Sequence, residues 1–184
     1  MPAGCKMEKI EDIIVMKVGP HSDMSLEEII ESKKEEEIGN GVHYWGYSGV
    51  FCRPKQVQEF CKNSVLSNHK PLLVLIETKS SYSSEIGFIN EYSEDNIDYK
   101  RFKSPVQLQG AQFSFVAKNL RKYDHFKLDD FIVVGGKNSG KVLSNHLIYR
   151  VNKCFGRYSE DSDDKEISVW IADLVEPYAV WLKE

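Results

Sequence analysis

The segment from position 43 to 53 has the residue types best suited to binding a flat ligand. It begins at His43, holds the aromatic residues Tyr44, Trp45 and Tyr47 among glycines, and ends at Arg53. Alternation along a strand would place Trp45 and Tyr47 on one face and Tyr44 on the other. A ring beside a glycine leaves room for a base to stack, and Arg53 ahead of a helix could bind an anionic group. The alternative is an aromatic core strand with glycine bulges.

Polar residues follow directly after the most apolar run of the chain, residues 71–76. Ligands of α/β sheets lie at the carboxyl ends of buried strands. Glu77 could therefore accept a ribose hydroxyl or a base edge, while Thr78 and Lys79 could bind a phosphate. The alternative is that polar residues simply begin where the strand leaves the core.

An amide-rich stretch, residues 107–112, offers paired hydrogen-bond donors and acceptors. Gln109 and Gln112 are the side chains there that could read the edge of a base. An amide-rich surface strand is the alternative interpretation.

A glycine-rich segment, residues 135–141, has the glycine and lysine spacing of a P-loop. Its lysines, Lys137 and Lys141, could bind phosphate. Val142 stands where a P-loop has the Ser or Thr that holds magnesium, and too little chain follows for the parallel sheet of a nucleotide hydrolase. The residues favour an ordinary turn between two strands.

Catalytic and metal motifs are missing from the sequence. It has no H-E-x-x-H or G-x-S-x-G motif, and its four cysteines show no C-x-x-C spacing. We therefore expect no zinc site and no cofactor. If the protein were a hydrolase, we would expect Glu77 and a histidine to be the residues that it uses.

Composition narrows the class of protein. The chain has 184 residues, 41% of them hydrophobic and 28% charged, with a net charge of −4, which predicts one globular domain over 1–184. The acidic balance disfavours a nucleic-acid polymer as partner, since such binding needs a basic face. The longest apolar run is far shorter than the roughly 20 residues that span a bilayer. Without a signal peptide, we expect a cytoplasmic protein with reduced thiols and no membrane partner.

Periodicity predicts the elements that position these residues. A capping box at Ser25 and Glu28 predicts a helix to about Glu37, ending in a solvated charge run over 33–37. Pro54 predicts the start of a second helix. The predicted strands are 13–18, 43–51, 71–77, a weak one over 98–102, one with its alternating part at 113–115 within 107–117, and 131–134, 143–158 and 167–175. The predicted connections are a long loop over 80–96, a basic link over 119–128 and an acidic surface loop over 159–166.

These elements predict an α+β fold: a single domain with a mixed or largely antiparallel sheet, two or three helices and a strand-rich second half. The function we expect is binding of a small anionic ligand, with a nucleotide-derived compound as the best candidate. A binder without catalytic residues would serve as a sensor or as a sponge that sequesters a signal, for example in phage–host immune signalling. The alternatives are a hydrolase acting on a nucleotide phosphodiester or glycosidic bond, and a protein–protein interaction module; a homo-oligomer is compatible with each.

Overall fold

The computed structural model describes residues 8–20, 23–79, 88–108, 111–147 and 152–183, and within these ranges it is an α+β fold. The strands are β1 (Asp12–Val18), β2 (His43–Tyr47), β3 (Leu72–Glu77), β4 (Phe88–Ser93), β5 (Tyr99–Gln107), β6 (Phe113–Phe126), β7 (Phe131–Val133), β8 (Lys153–Tyr158) and β9 (Ile167–Lys183). The α-helices are α1 (Leu26–Asn40), α2 (Pro54–Leu66) and α3 (Leu143–Leu147). A 3-10 turn at Leu128–Asp130 precedes β7.

The strands join in one mixed sheet. Its order is β2-β6-β9-β3-β1-β8-β7, and β4 pairs with both β5 and β9. Among the described strands, β1 and β3 are the one parallel pair, with Val18 opposite Glu77 at their carboxyl ends. A parallel pair needs a crossover, which here consists of α1, β2 and α2.

The central strands β1 and β3 are buried on both faces. Ile14 and Leu73 belong to the cluster that α1 and α2 cover. Ile13 and Leu72 belong to a second cluster, which includes Leu143 of α3. Burial on both faces explains the continuous apolar runs of these strands.

Both long helices begin as their sequences predict. Ser25 Oγ accepts from the Glu28 amide at 3.2 Å, and the Glu28 carboxylate accepts from the Ser25 amide at 3.2 Å. The helix α1 continues three residues beyond Glu37 and ends at Gly41, whose φ of +78° favours glycine. Pro54 occupies the first turn of α2.

Two connections predicted as irregular contain strand. Residues 88–93 of the predicted loop 80–96 form β4, which is held between β5 and β9; residues 80–87 of that loop lie outside the described residues. The basic link predicted over 119–128 is largely the second half of β6, which continues to Phe126 along β9. Pairing with β9 supplies backbone partners that local sequence does not reveal. The acidic segment 159–166 contains no helix or strand, in agreement with its prediction as a loop.

Three further predicted strands have different bounds. The strand predicted over 43–51 ends at Tyr47. Residues 143–147 of the strand predicted over 143–158 form α3, and strand begins only at Lys153. Short apolar runs fit either periodicity, which explains this error. The last strand does not end at Val175 but passes Pro177 and reaches Lys183.

Candidate ligand-binding cleft

A cleft of about 480 Å³ opens beside the carboxyl end of β1. Its walls come from β1, α1, β2, the end of β5 with the segment before β6, and the start of β8. Met16, Leu26 and Ile29 give it apolar surface, and Trp45 and Tyr47 contribute from β2. The volume lies within the roughly 300–1,000 Å³ of small-molecule sites.

Every charged side chain among the described residues that line this cleft is a lysine. Lys17 comes from β1, Lys33 from α1 and Lys153 from β8, and the described lining includes no aspartate, glutamate or histidine. In a chain of net charge −4, this concentration of positive charge favours an anion at this position.

Lys153 is held over an aromatic ring at the cleft. Its Nζ donates to the Ser48 carbonyl at 3.1 Å and lies 5.2 Å from the centroid of the Tyr47 ring. Burial lowers the pKa of Lys153, although the nearby Cys52 thiol acts in the opposite direction. Lys17 is also anchored, because its Nζ donates to the Leu147 carbonyl at the end of α3.

Lys33 is buried, with its side chain 7% exposed. Its Nζ lies 3.3 and 3.5 Å from the two carboxylate oxygens of Glu36, 3.4 Å from the Gln107 carbonyl and 5.5 Å from the Trp45 ring centroid. Burial lowers the pKa of Lys33 and raises that of Glu36. The prediction of a solvated charge run over 33–37 is therefore wrong at these two residues, which share the buried face of α1 with Leu26 and Ile30.

Trp45 has a buried indole nitrogen without a hydrogen-bond partner among the described atoms. The residue is 5% exposed and lines the cleft. Its ring meets that of His43 edge-on at 6.1 Å. A buried, unpaired N–H costs on the order of 1–3 kcal/mol, so a ligand atom that accepted this hydrogen bond would gain free energy.

His43 is fully buried and does not line the cleft. Its Nδ1 bonds to Glu37 at 2.9 Å. Burial lowers the pKa of His43, although Glu37 acts to raise it. The histidine thus supports the strand next to Trp45 rather than facing a ligand.

The predicted alternation of the β2 rings is observed, but the rings lie in the core. Trp45 and Tyr47 belong to the cluster under α1 and α2, and Tyr44 packs on the other face, 4.8 Å from Phe102. Tyr47 stacks on Phe115 at 4.2 Å. Both tyrosines are more than nine-tenths buried. Tyr44 lies outside the cleft, and the Tyr47 ring, although it lines the cleft, is already in contact with Phe115 and Lys153.

The space expected beside Gly46 is filled by protein. A Cβ placed on Gly46 would lie 2.8 Å from Ala111 Cβ and 3.0 Å from Leu108 Cδ2. The glycine therefore allows close packing of β2 against the segment that joins β5 and β6, and it opens no room for a base.

Arg53 and Gln112 line a second cavity of about 470 Å³, together with Trp181. Arg53 is exposed at the start of α2. Ala111 is the one described residue that lines both cavities. The structure thus brings Arg53 and Gln112 together, but not with the three lysines; Gln109 lies outside the described residues.

The residues after β3 lie next to the cleft without lining it. The Thr78 amide donates to the Val18 carbonyl at 2.6 Å, and Val18 is a lining residue. Glu77 and Lys79 are exposed, and neither they nor Thr78 belongs to the described lining.

The glycine-rich segment with Lys137 and Lys141 is a turn after β7, but it leads into α3 and not into the second strand that was predicted. The Gly135 amide donates to Ser139 Oγ at 3.3 Å, and the Lys141 amide donates to the Asn138 carbonyl at 3.1 Å. Amides engaged within the turn cannot cradle a phosphate as those of a P-loop do. Both lysines are exposed and lie outside the lining of the cleft.

Comparison with known proteins adds no relative. No protein-family model, no curated protein and no solved structure matches the chain. Among the described residues, no group of three or more acidic, cysteine or histidine residues could hold a metal ion. No described helix is long and apolar enough to cross a membrane. The cleft is therefore the feature from which a function can be inferred.

Proposed function

We propose that the protein binds a small, flat anion in the lysine-lined cleft, with a nucleotide-derived compound as the leading candidate. One observation carries the proposal: three lysines and Trp45, whose buried indole N–H has no partner among the described atoms, line the same cleft, without an acidic side chain among its described lining. Each feature alone has a structural explanation, but together they match an anionic ring with an acceptor atom.

The lining suggests how such a ligand would lie. Its phosphate or carboxylate would accept hydrogen bonds from Lys153 and Lys17, because charge-assisted hydrogen bonds are stronger than those between neutral groups. An acceptor such as a ring nitrogen or a carbonyl oxygen of the base would take the Trp45 N–H. The planar part would rest on the apolar side chains of Met16 and Ile29.

Binding without turnover fits this lining better than hydrolysis. Hydrolysis most often uses a carboxylate or histidine as general acid or base at the reacting bond; the described lining has neither, and Glu36, the carboxylate next to it, is engaged by Lys33 and the Tyr44 amide. The protein would then act as a sensor or as a sponge for a signal, as in phage–host immune signalling. A cytoplasmic location suits the free, buried thiols of Cys52, Cys61 and Cys154; burial raises the pKa of Cys52 and of Cys154 to about 12, so these thiols stay protonated.

Calorimetry and thermal shift with a panel of mono-, di- and cyclic nucleotides and NAD-derived compounds test this proposal. We expect at least one to bind, and Lys153→Gln to weaken it by about tenfold or more, because a hydrogen bond to a charged group contributes about 1.5–3 kcal/mol. Arg53→Gln is the matched control in the second cavity and should leave affinity unchanged. Chromatography after incubation should recover intact ligand.

Two results would refute the proposal. One is that no panel member stabilises the protein at millimolar concentration. The other is that Arg53→Gln abolishes binding while Lys153→Gln leaves it intact, which would place the ligand in the second cavity.

A further inference from the structure

The side chain of Lys33 offers the cleft a nucleophile as well as a charge. We propose that Lys33 captures an anionic aldehyde or ketone as a Schiff base, with Glu36 carrying the proton. This inference uses the same cleft as the proposed function, but it requires a covalent step that anion binding does not.

The hydrogen bonds of Lys33 are long for an ammonium group. Charge-assisted N–H···O bonds are usually about 2.7–2.9 Å, whereas the contacts of Lys33 Nζ with Glu36 and with the Gln107 carbonyl measure 3.3–3.5 Å. The Trp45 ring covers another side of the Nζ at 5.5 Å. An ammonium group has three N–H donors to satisfy. The neutral amine of Lys33 would have two N–H donors, and its lone pair would be available to a ligand in the cleft.

Burial brings the proton affinities of Lys33 and Glu36 closer together, although the attraction between the two groups opposes this change. Lys17 and Lys153 line the same cleft and disfavour a third positive charge. Burial lowers the pKa of the lysine and raises that of the glutamate, so both changes favour moving the proton from Nζ to the carboxylate. The Tyr44 amide, which donates to Glu36 Oε1 at 2.7 Å, favours the carboxylate and keeps it in place.

The covalent step needs no outside reagent. A proton moves from the Lys33 ammonium to Glu36, and the freed lone pair attacks the carbonyl carbon. A C–N bond forms, the π pair moves to oxygen, and a proton passes from nitrogen to that oxygen to give a carbinolamine. Glu36 then protonates the hydroxyl, the C–O bond breaks, and water leaves. The product is an iminium ion beside the Glu36 carboxylate, so the charge of the pair is unchanged.

The rest of the cleft selects the carbonyl compound. Lys153 on β8 and Lys17 on β1 would hold a carboxylate or phosphate, and the apolar wall would hold a conjugated ring. An aromatic aldehyde with one anionic group combines these properties.

Reductive trapping with 4-formylbenzoate tests the proposal. The protein is incubated with the aldehyde and cyanoborohydride at pH 7, digested, and mapped by mass spectrometry. We expect Lys33 to be labelled more heavily than Lys34, because burial lowers the pKa of Lys33 and so raises its neutral fraction, and because the cleft would hold the aldehyde's carboxylate. Lys34 is a matched comparison, since it is the next residue of α1 and its side chain is 45% exposed.

Controls separate this proposal from simple anion binding. Lys33→Met should abolish the preferred label, whereas Lys34→Met should leave it. Benzaldehyde, which lacks the carboxylate, should label Lys33 less. The proposal would be overturned, even if nucleotides bind, by labelling of each lysine in proportion to its exposure or by labelling mainly of Lys153. If Lys33→Met fails to fold, the distribution of label over the lysines of the original protein decides between these outcomes.

Discussion

The ion pair of Lys33 and Glu36 makes a quantitative prediction about stability. Both side chains are less than a tenth exposed, so removing one leaves the other as a buried group without its opposite charge. Such losses cost about 3–5 kcal/mol, while replacing both partners with apolar or neutral groups is close to neutral. A double-mutant cycle with Lys33→Met and Glu36→Gln separates these cases.

The ordinary pKa values bound the cost of each single change at pH 7. After Lys33→Met, Glu36 can take up a proton; its ordinary pKa is 4.5, so this costs about 3.5 kcal/mol at 1.4 kcal/mol per pH unit. After Glu36→Gln, Lys33 can lose its proton from an ordinary pKa of 10.5, which costs about 5 kcal/mol. The double variant should lie within about 1 kcal/mol of the original protein, because the amide oxygen introduced by Glu36→Gln would still accept from the Tyr44 amide.

The sign of the pH dependence follows from the raised pKa of Glu36. In Lys33→Met the folded state holds a proton that the unfolded state has lost between pH 5 and 7. Its free energy of unfolding should therefore increase as pH falls, by about 1.4 kcal/mol per pH unit. The original protein should show a smaller slope, because Lys33 supplies the balancing charge.

Urea unfolding measures these values, with the slope of free energy against urea as a check that the folded state is unchanged. The pair Lys34–Glu31 is a matched control, because it lies on the same helix at the same spacing and is exposed, at 3.6 Å. Its coupling energy should stay below about 0.5 kcal/mol. A coupling energy for Lys33–Glu36 as small as that of the control would refute the reasoning.

Two further predictions test the packing around the sheet. Asp12 is 2% exposed; burial opposes its ionisation, but hydrogen bonds from Arg157 and His69 outweigh burial and hold its pKa below the ordinary 3.8. At pH 7 Asp12→Asn should lower the free energy of unfolding by about 2 kcal/mol. In acid titrations this difference should shrink as pH falls below 3.8, because Asp12 then takes up a proton. A difference that stays constant with pH would contradict the lowered pKa of Asp12. Gly46→Ala should cost about 1–3 kcal/mol through overpacking against Ala111, and adding Ala111→Gly should recover most of it in urea unfolding; no recovery would show that the contact is not the cause.

Local signals in the sequence were sufficient for the helices α1 and α2 and for the buried strand β3. The capping box at Ser25 and Glu28 predicts the start of α1, and the apolar run from Leu72 predicts a strand buried on both faces. The last strand shows why local signals fail elsewhere. Proline normally ends a central strand. Pro177, however, lies in a bulge: between two successive paired positions, β9 has four residues and β6 has only Val116. The bulge removes the need for a ladder partner, and only the paired strand reveals it.

The cleft was harder to predict because its charged residues come from distant parts of the chain. Lys17, Lys33 and Lys153 lie on a strand, a helix and a second strand, and no spacing pattern connects them. A signal for Lys33 does exist, since Leu26 and Ile30 precede it at helical spacing on one face. The unpaired nitrogen of Trp45 has no sequence signal, because it results from the lack of a hydrogen-bond acceptor on the described elements around it.

The Trp45 indole N–H resonance provides the most direct test of ligand binding in the cleft. The protein has three tryptophans, so a two-dimensional ¹H–¹⁵N spectrum should show three indole peaks, and Trp45→Phe would identify the one from the cleft. When a nucleotide-derived anion that binds the protein is titrated in, the resonance of the Trp45 indole proton should move downfield, because the proton gains a hydrogen-bond acceptor. A binding ligand that shifts only Trp181, which lines the second cavity, or that leaves Trp45 unchanged, would contradict the central claim.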